Sequence, residues 1–337
     1  MLQSSIQDFA HLFSSPFTAT LALLVDLVAF SFIAGTATGW WSWVDRIWSL
    51  SPAVFTLIYA SFNLDKPRLL VMAALASLWA ARLTFNFWRK GGFGEVAPKE
   101  EDYRWAHVRS WMRDNIPAHL EPLARHAFHA LFVCLYQNVL LWLQVVPACI
   151  VVAAASLPGD LTPWDYAAAL AFLGLLALEW LTDETQWAFQ SAKHAMTPAQ
   201  RRAAGGDFAR GFCTSGVFAY SRHANFFAEQ SMWWVFFGFS VVARGPGSLQ
   251  EALLHYSVAG PLLLTLLFQG SIMLTEAITA AKYPAYQDYQ GHVSRLVPWL
   301  PSTSYPAAAA KAPSGSPKPS SPAPAQAKPR SASAKRR

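Results

Sequence analysis

The sequence has few charged residues. Asp, Glu, Lys and Arg make up only 14% of its 337 residues, whereas about a quarter are charged in a typical soluble domain. Hydrophobic residues account for 53% of the chain, which includes 15 tryptophans and 23 phenylalanines. This composition argues against a soluble globular protein and predicts extensive contact with membrane lipid.

Cysteine is also scarce, and several common motifs are missing. The three cysteines form no Cys-x-x-Cys pair, which argues against a disulfide framework. No Gly-x-Gly-x-x-Gly follows a strand pattern, which argues against a Rossmann domain. The nine histidines are too scattered for a di-iron site, so we predict no metal. The N-terminus lacks the basic region of a secretory signal, so the first apolar run is interpreted as a retained helix.

Long apolar runs are present instead. A helix needs roughly 20 mostly apolar residues to cross a bilayer, because its backbone must satisfy its own hydrogen bonds in hydrocarbon. The sequence therefore predicts an all-α, multi-pass transmembrane bundle of about seven helices, at residues 16–39, 48–63, 69–88, 127–157, 164–189, 229–243 and 253–280. The second and sixth of these runs are short for a clean crossing.

Basic residues divide the loops into two groups. Lys and Arg fill residues 89–125 and 193–210, whereas residues 158–163 contain none. Because positive side chains are retained on the cytosolic side, we predict that the basic loops are cytosolic. The composition fits the endoplasmic reticulum membrane of a eukaryote and the inner membrane of a bacterium equally well.

Two regions differ in composition. Residues 1–304 form the predicted transmembrane domain, whereas residues 305–337 are mainly Ala, Pro, Ser and Lys and predict a disordered basic tail. The net charge of +6 owes much to this tail, so we do not predict a nucleic-acid partner.

Ionisable residues inside the predicted spans are candidates for a site. Glu179, Asp183 and Glu276 lie in such spans, where charge is costly and usually faces a bundle interior or a watery cavity. Glu179 and Asp183 are four residues apart and therefore share one helical face. An interfacial pair that reaches to the headgroups would show the same spacing.

The segment YSRHANFFAE, residues 220–229, interleaves polar and apolar residues. Arg222 and His223 can donate to phosphate oxygens, Asn225 suits a carboxamide, and Glu229 can accept from an amide or a ribose hydroxyl. These groups suit a dinucleotide. An interfacial amphipathic segment with headgroup-facing polar residues is equally compatible with the pattern.

Three blocks in order carry a family resemblance: EWLTDETQWAFQ at 179–190, YSRHANFFAE at 220–229, and KYPAYQDYQ at 282–290 with RLVPW at 295–299. Together they resemble the membrane reductases related to steroid 5α-reductase, particularly an uncharacterised branch with a YSRHPNYxGE signature. The N-terminal half resembles that family only through short stretches around Asp45 and from Trp79 to Arg82.

The resemblance implies an NADPH-dependent membrane oxidoreductase that reduces a C=C bond in a steroid-like or other lipid enone. It implies a cofactor pocket within residues 164–300, with Asp45 and Arg82 near the reacting group. The cofactor-binding residues would be Glu179, Asp183, Arg222, His223, Asn225, Glu229, Glu276, Tyr283, Tyr286 and Arg295.

This sequence departs from the family pattern at three positions. Ala224 and Ala228 stand where the family usually has Pro and Gly, and Trp79 stands at the apparent position of the Tyr proton donor.

Two other functions stay open. Isoprenylcysteine and phospholipid methyltransferases share this architecture and use S-adenosylmethionine, and a non-catalytic scaffold or transporter could use the same fold.

Overall fold

We describe the protein from a computed structural model, which covers residues 15–94, 101–154, 161–245, 251 and 255–300. Within these ranges every regular element is a helix, as the sequence predicts. The tail predicted at 305–337 lies outside them, as do the last residues of the fourth predicted span and the first two of the seventh.

Thirteen α-helices are labelled here in chain order: α1 (Pro16–Thr38), α2 (Trp43–Trp48), α3 (Ser51–Ser61), α4 (Pro67–Arg89), α5 (Tyr103–Asn115), α6 (Glu121–Phe128), α7 (Gln137–Ala153), α8 (Pro163–Ala195), α9 (Pro198–Ala204), α10 (Gly206–Arg210), α11 (Ala224–Arg244), α12 (Ala259–Lys282) and α13 (Tyr286–His292). A π-helical segment, His129–Tyr136, joins α6 to α7 without a break. Short 3₁₀ turns, Gly216–Ala219 and Tyr256–Val258, precede α11 and α12.

Local sequence explains several helix ends. The Ser15 side chain accepts a hydrogen bond from the Thr18 amide, proline follows at the first helical position, and Gly39 ends α1 with φ 72°. At α8, Thr162 and Asp165 form a reciprocal capping box. These signals explain why α1 and α8 begin at prolines, where the missing N–H costs no intrahelical bond.

Contacts between loops define two ends of the bundle. We call one end the basic end, after the basic loops at residues 89–125 and 193–210. There the Trp41 amide donates to Glu101 Oε1 at 2.7 Å and the Arg222 amide donates to the Ser294 carbonyl at 2.9 Å. At the opposite end, Arg68 binds Asp165 through two hydrogen bonds of 2.6 and 2.8 Å.

Five helical stretches are long and apolar enough to cross a membrane: Pro16–Thr38, Pro67–Arg89, Glu121–Ala153, Pro163–Ala195 and Tyr256–Lys282. The protein is therefore a multi-pass membrane protein built from helices. The expected second span contains α3, which has 11 residues and extends only about 16 Å, roughly half the hydrocarbon layer. It is short, as the sequence indicates, and is not among the five, so its crossing stays a prediction. The expected sixth span corresponds to α11, which has 21 residues but is not among the five.

The apolar core lies between α3, α4, α7 and α11. Its largest fully buried side chains include Tyr59, Trp79, Trp233 and Phe236. Helix α12 approaches α7 at Gly260, where a Cβ atom would lie 2.4 Å from the Leu143 carbonyl oxygen. The outer faces carry large exposed apolar residues, as expected for a surface in lipid, including Val25, Ile33, Leu131, Leu170, Leu266 and Met273.

Candidate functional site

A buried ionic group, which we call the core cluster, lies between α4, α8 and α11 and consists of Arg82, Asn86, Glu179, Asp183 and Glu229. Arg82 Nη2 is 2.6 Å from Glu179 Oε1, and Arg82 Nη1 is 2.6 Å from Asp183 Oδ2. Arg82 Nη2 also lies 3.7 Å from Glu229 Oε2. The four charged side chains are 5–8% exposed, so three helices meet around one guanidinium.

Two tryptophans hold Glu229 from both sides. Trp79 Nε1 donates to Glu229 Oε2 at 2.7 Å, and Trp233 Nε1 donates to Glu229 Oε1 at 3.0 Å. The two indole rings pack edge to face with centroids 5.0 Å apart. Glu229 is therefore fixed by its neighbours, and Trp79 acts on this carboxylate as a hydrogen-bond donor.

The core cluster contains more acid than base. One guanidinium faces three carboxyl groups, and the Asn86 amide supplies one further donor to Asp183 Oδ2 at 2.8 Å. Among the described residues, Glu179 Oε2 and Arg82 Nε are buried without a hydrogen-bond partner. Such orphaned groups are rare in folded proteins and require an explanation, such as a proton, a bound water or a ligand.

A second group, which we call the latch, joins the start of α11 to α12 and α13. It consists of Arg222, His223, Glu276, Tyr286 and Gln290. Arg222 Nε and His223 Nε2 lie 2.7 and 3.0 Å from Glu276 Oε1, and Gln290 Nε2 donates to Glu276 Oε2 at 2.9 Å. Burial, followed by the Glu276 charge, raises the pKa of Tyr286.

Backbone contacts complete the latch. Arg222 Nη1 donates to the carbonyl oxygens of Gln290 and Val293 at 2.8 and 2.5 Å. The Ser221 hydroxyl donates to the Leu296 carbonyl at 2.7 Å, and the Tyr289 hydroxyl donates to the Phe218 carbonyl at 2.5 Å. The signature segment, residues 220–229, therefore uses much of its hydrogen-bonding capacity to hold the segment that follows α12.

The remaining predicted cofactor-binding residues lie outside the core cluster and the latch. Tyr283 packs against Gly211, where φ is 92° and a Cβ atom would lie 2.4 Å from the tyrosine ring. Arg295 is near the surface and donates to Gln269 Oε1 at 2.7 Å. Asn225 is half-buried, one helical turn before Glu229, and its side chain has no hydrogen bond within the described part of the chain.

Asp45 lies apart from both groups. Its Oδ2 accepts a hydrogen bond from Trp105 Nε1 at 2.9 Å, which ties α2 to α5. Burial raises the pKa of Asp45, while the nearby charge of Arg104 opposes that effect. Of the two predicted catalytic residues, only Arg82 lies in the core cluster.

Sequence reasoning missed Asn86 and Trp233 and assigned no contact to Trp79. Helical spacing could have identified them, since Trp79, Arg82 and Asn86 follow one another at intervals of three and four residues, and Trp233 is four residues after Glu229. In the described ranges, no group of three or more His, Cys, Asp and Glu side chains is arranged to hold a metal ion.

Comparisons with known proteins identify relatives without an assigned activity. A family profile described as "Protein of unknown function (DUF1295)" matches residues 31–293. An uncharacterized protein of Schizosaccharomyces pombe is 36% identical over 268 residues, which cover 77% of this chain and 73% of the relative. No solved structure matches.

Proposed function

The chain belongs to the DUF1295 family, and from the core cluster we propose that it is an NADPH-dependent membrane reductase that acts on a C=C bond conjugated to a carbonyl in a steroid-like or other lipid. The observation that carries the proposal is the set of three carboxyl groups around one buried guanidinium. The resemblance of the three sequence blocks to the steroid 5α-reductase-related enzymes supports the same reaction class.

The reaction requires a proton source as well as a reductant. Reduction of an enone places negative charge on the carbonyl oxygen and α-carbon, and a proton must then be delivered. NADPH, when bound, supplies the hydride. The core cluster is the candidate source of the proton, because its three carboxyl groups outnumber the one guanidinium that faces them.

The partnerless atoms fit the nicotinamide end of the cofactor. A carboxamide has an N–H donor beside a C=O acceptor, and Glu179 Oε2 and Arg82 Nε offer the matching acceptor and donor. Asn225, which has a free amide in the described part of the chain, adds a third candidate. Arg222 and His223 are less suited to cofactor phosphates than the sequence suggests, because Glu276 already binds both.

The lipid substrate would approach from the bilayer. Glu229 and Trp79 lie at the inner wall of the cluster, next to the apolar core that contains Phe172 and Phe236. An apolar wall with a few fixed polar groups is the usual composition of a site for a small hydrophobic ligand. A lipid substrate bound here would explain why a polar cluster lies inside a bundle that is otherwise apolar.

NADPH binding to the purified full-length protein tests the proposal. We expect saturable NADPH binding and a 10- to 100-fold weaker affinity in Glu179→Gln, because a hydrogen bond to a charged acceptor contributes about 1.5–3 kcal/mol. Glu184→Gln is the matched control, since Glu184 is on the same helix but is more exposed and pairs with Arg89.

Three results would contradict the proposal. Folded protein that binds no NADPH would favour a scaffold or transporter. Saturable binding of S-adenosylmethionine in place of NADPH would favour a methyltransferase. Equal loss of NADPH binding in Glu179→Gln and Glu184→Gln would place the cofactor away from Glu179.

A further inference from the structure

A cleft separate from the core cluster and the latch lies between α5 and α6 at the basic end. Its volume is about 460 Å³, and it is lined by Ala106, Arg109, Ser110, Arg113, Glu121 and Arg125. The four α5 residues are spaced at three- and four-residue intervals, so they form one face of that helix. The other face of α5, with Trp105 and Met112, packs on the bundle.

The three guanidinium groups of the cleft are only partly neutralised. Arg109 is paired with Glu101, whereas the Arg113–Asp114 and Arg125–Glu121 pairs are 3.5 and 3.4 Å long. The Arg113 and Arg125 side chains are 73% and 42% exposed, and exposed ion pairs of this kind contribute little. Arg113 and Arg125 can therefore bind another anion at small cost.

Repulsion between the cations supports this conclusion. Burial and the neighbouring charge of Arg125 both lower the pKa of Arg109. An anion between these side chains would relieve the repulsion. Guanidinium groups are also well suited to phosphate, because their parallel N–H donors match its oxygens. The Ser110 hydroxyl accepts from Arg113 Nη2 at 3.0 Å and donates to Asp114 Oδ2 only at 3.5 Å, so it can turn its proton to an anion bound there.

The surroundings of the cleft point to a lipid source for the phosphate. Trp111 on α5 is 56% exposed and Leu123 on α6 is 69% exposed. Large exposed apolar residues, Leu131 and Leu135, continue along the same helical stretch, which is one of the five membrane-crossing candidates. Tryptophan beside arginine at the end of such a helix is typical of the headgroup layer.

We propose that this cleft binds the phosphate headgroup of an anionic membrane lipid, with the acyl chains lying against the exposed leucines of α6 and the π-helical segment. Arg113 and Arg125 would contact the phosphate, and Ser110 would donate to it. The site is independent of the proposed reductase activity, because none of its residues belongs to the core cluster or the latch.

Lipid selection by the full-length protein tests this proposal. Purified protein in detergent is titrated with phosphatidylglycerol and, separately, with phosphatidylcholine, and bound lipid is counted by native mass spectrometry. We expect the Arg113→Gln/Arg125→Gln double variant to lose about 25-fold in phosphatidylglycerol affinity, at about fivefold for each guanidinium removed. Phosphatidylcholine binding should change little.

The matched control is the Arg201→Gln/Arg202→Gln double variant, which removes the same charge from α9 at the same end of the protein. It should keep the wild-type preference for phosphatidylglycerol. Arg113→Lys/Arg125→Lys should show an intermediate loss, because lysine keeps the charge without the paired donors. All variants should melt within a few degrees of the wild type, since none of the replaced arginines is buried.

Several outcomes would overturn the proposal. Equal losses in the cleft and α9 variants would show a general charge effect. Displacement of phosphatidylglycerol from the wild type by excess inorganic phosphate, at equal molar affinity, would show that the acyl chains add nothing and that the ligand is free phosphate. Unchanged selectivity in the folded cleft variant would place the lipid elsewhere.

Discussion

Trp79 determines how the core cluster can act. The resemblance to the steroid 5α-reductase-related enzymes implies a tyrosine proton donor at this position, whereas here the indole N–H donates to Glu229 Oε2 at 2.7 Å. An indole N–H is a hydrogen-bond donor and not a practical acid. In the proposed reduction of an enone, the carboxyl groups of the core cluster are then the candidate proton donors, and Trp79 positions one of them.

Removing the indole donor tests this role of Trp79. Trp79→Phe keeps an aromatic ring in the core but leaves Glu229 Oε2 without its closest donor. We expect the free energy of unfolding to fall by about 1–3 kcal/mol, the penalty for a buried polar group that loses its partner, together with a packing loss from the smaller ring. Thermal or denaturant unfolding in detergent measures the change.

Trp88→Phe provides the comparison on the same helix. Trp88 is 62% exposed and its side chain makes no hydrogen bond in the described part of the chain, so its replacement should change stability by less than about 0.5 kcal/mol. Equal effects of the two substitutions would mean that the bond between Trp79 and Glu229 contributes nothing measurable.

At the scale of elements, the latch connects the signature segment to α13. Arg222 contacts Glu276 and two backbone carbonyl groups beyond α12, so one side chain links three segments. The signature therefore stabilises the basic end even without a cofactor. Any ligand that binds there must fit beside an ion pair that already exists.

Substitution of Arg222 should loosen α13 selectively. Arg222→Gln removes the ion pair with Glu276 and the two bonds to carbonyl oxygens, so we expect amide hydrogen exchange in Tyr286–His292 to become about 10- to 100-fold faster. Exchange within α4 and α8 should change little. Arg295→Gln, near the surface and outside the latch, is the control; faster exchange of α13 in both variants would argue against a specific latch.

The sequence predicts the elements better than the contacts between them. Five of the seven expected spans correspond to long apolar helices, because length and apolarity are properties of a single segment. The pairing of Arg222 with Glu276 joins residues 54 positions apart. A single sequence does not distinguish an arginine that binds a carboxylate from one that binds a phosphate. Arg82 shows the same limit, since its three carboxyl partners lie on two other helices.

At the scale of the whole molecule, the directions of α1 and α4 determine whether the segment that contains the short α3 must cross the membrane. Thr20 near the start of α1 meets Tyr59 near the end of α3 at 3.3 Å, and Ser31 meets Asn138 near the start of α7 at 3.2 Å. Helix α1 leads to Trp41, which contacts Glu101 at the basic end, and α4 begins beside Arg68, which binds Asp165 at the opposite end. Helices α1 and α4 therefore both run toward the basic end. The chain from residue 39 to residue 66 must return to the opposite end, and α2, α3 and the turns around them make this passage.

Cysteine labelling tests this arrangement in the membrane. We expect Ala37→Cys and Arg202→Cys to react with an impermeant maleimide from one side, which loop charge predicts to be the cytosol, and Leu64→Cys to react from the other. All three positions are exposed, and Tyr256→Cys serves as a second reporter for the opposite end. The labelling is done in a Cys149→Ala background, because Cys149 is half-buried, whereas Cys134 and Cys213 are buried and burial raises the pKa of Cys213 to about 11.

The labelling pattern separates a crossing α3 from one that returns to the same face. Labelling of Leu64→Cys together with Ala37→Cys would mean that α3 does not cross, and α4 would then have to run away from the basic end. That reversal would separate Arg82 from Glu179 and Asp183, because both acids lie toward the basic end of α8. Opposite-side labelling of Leu64→Cys is therefore required for the core cluster to exist, and with it the proposed site.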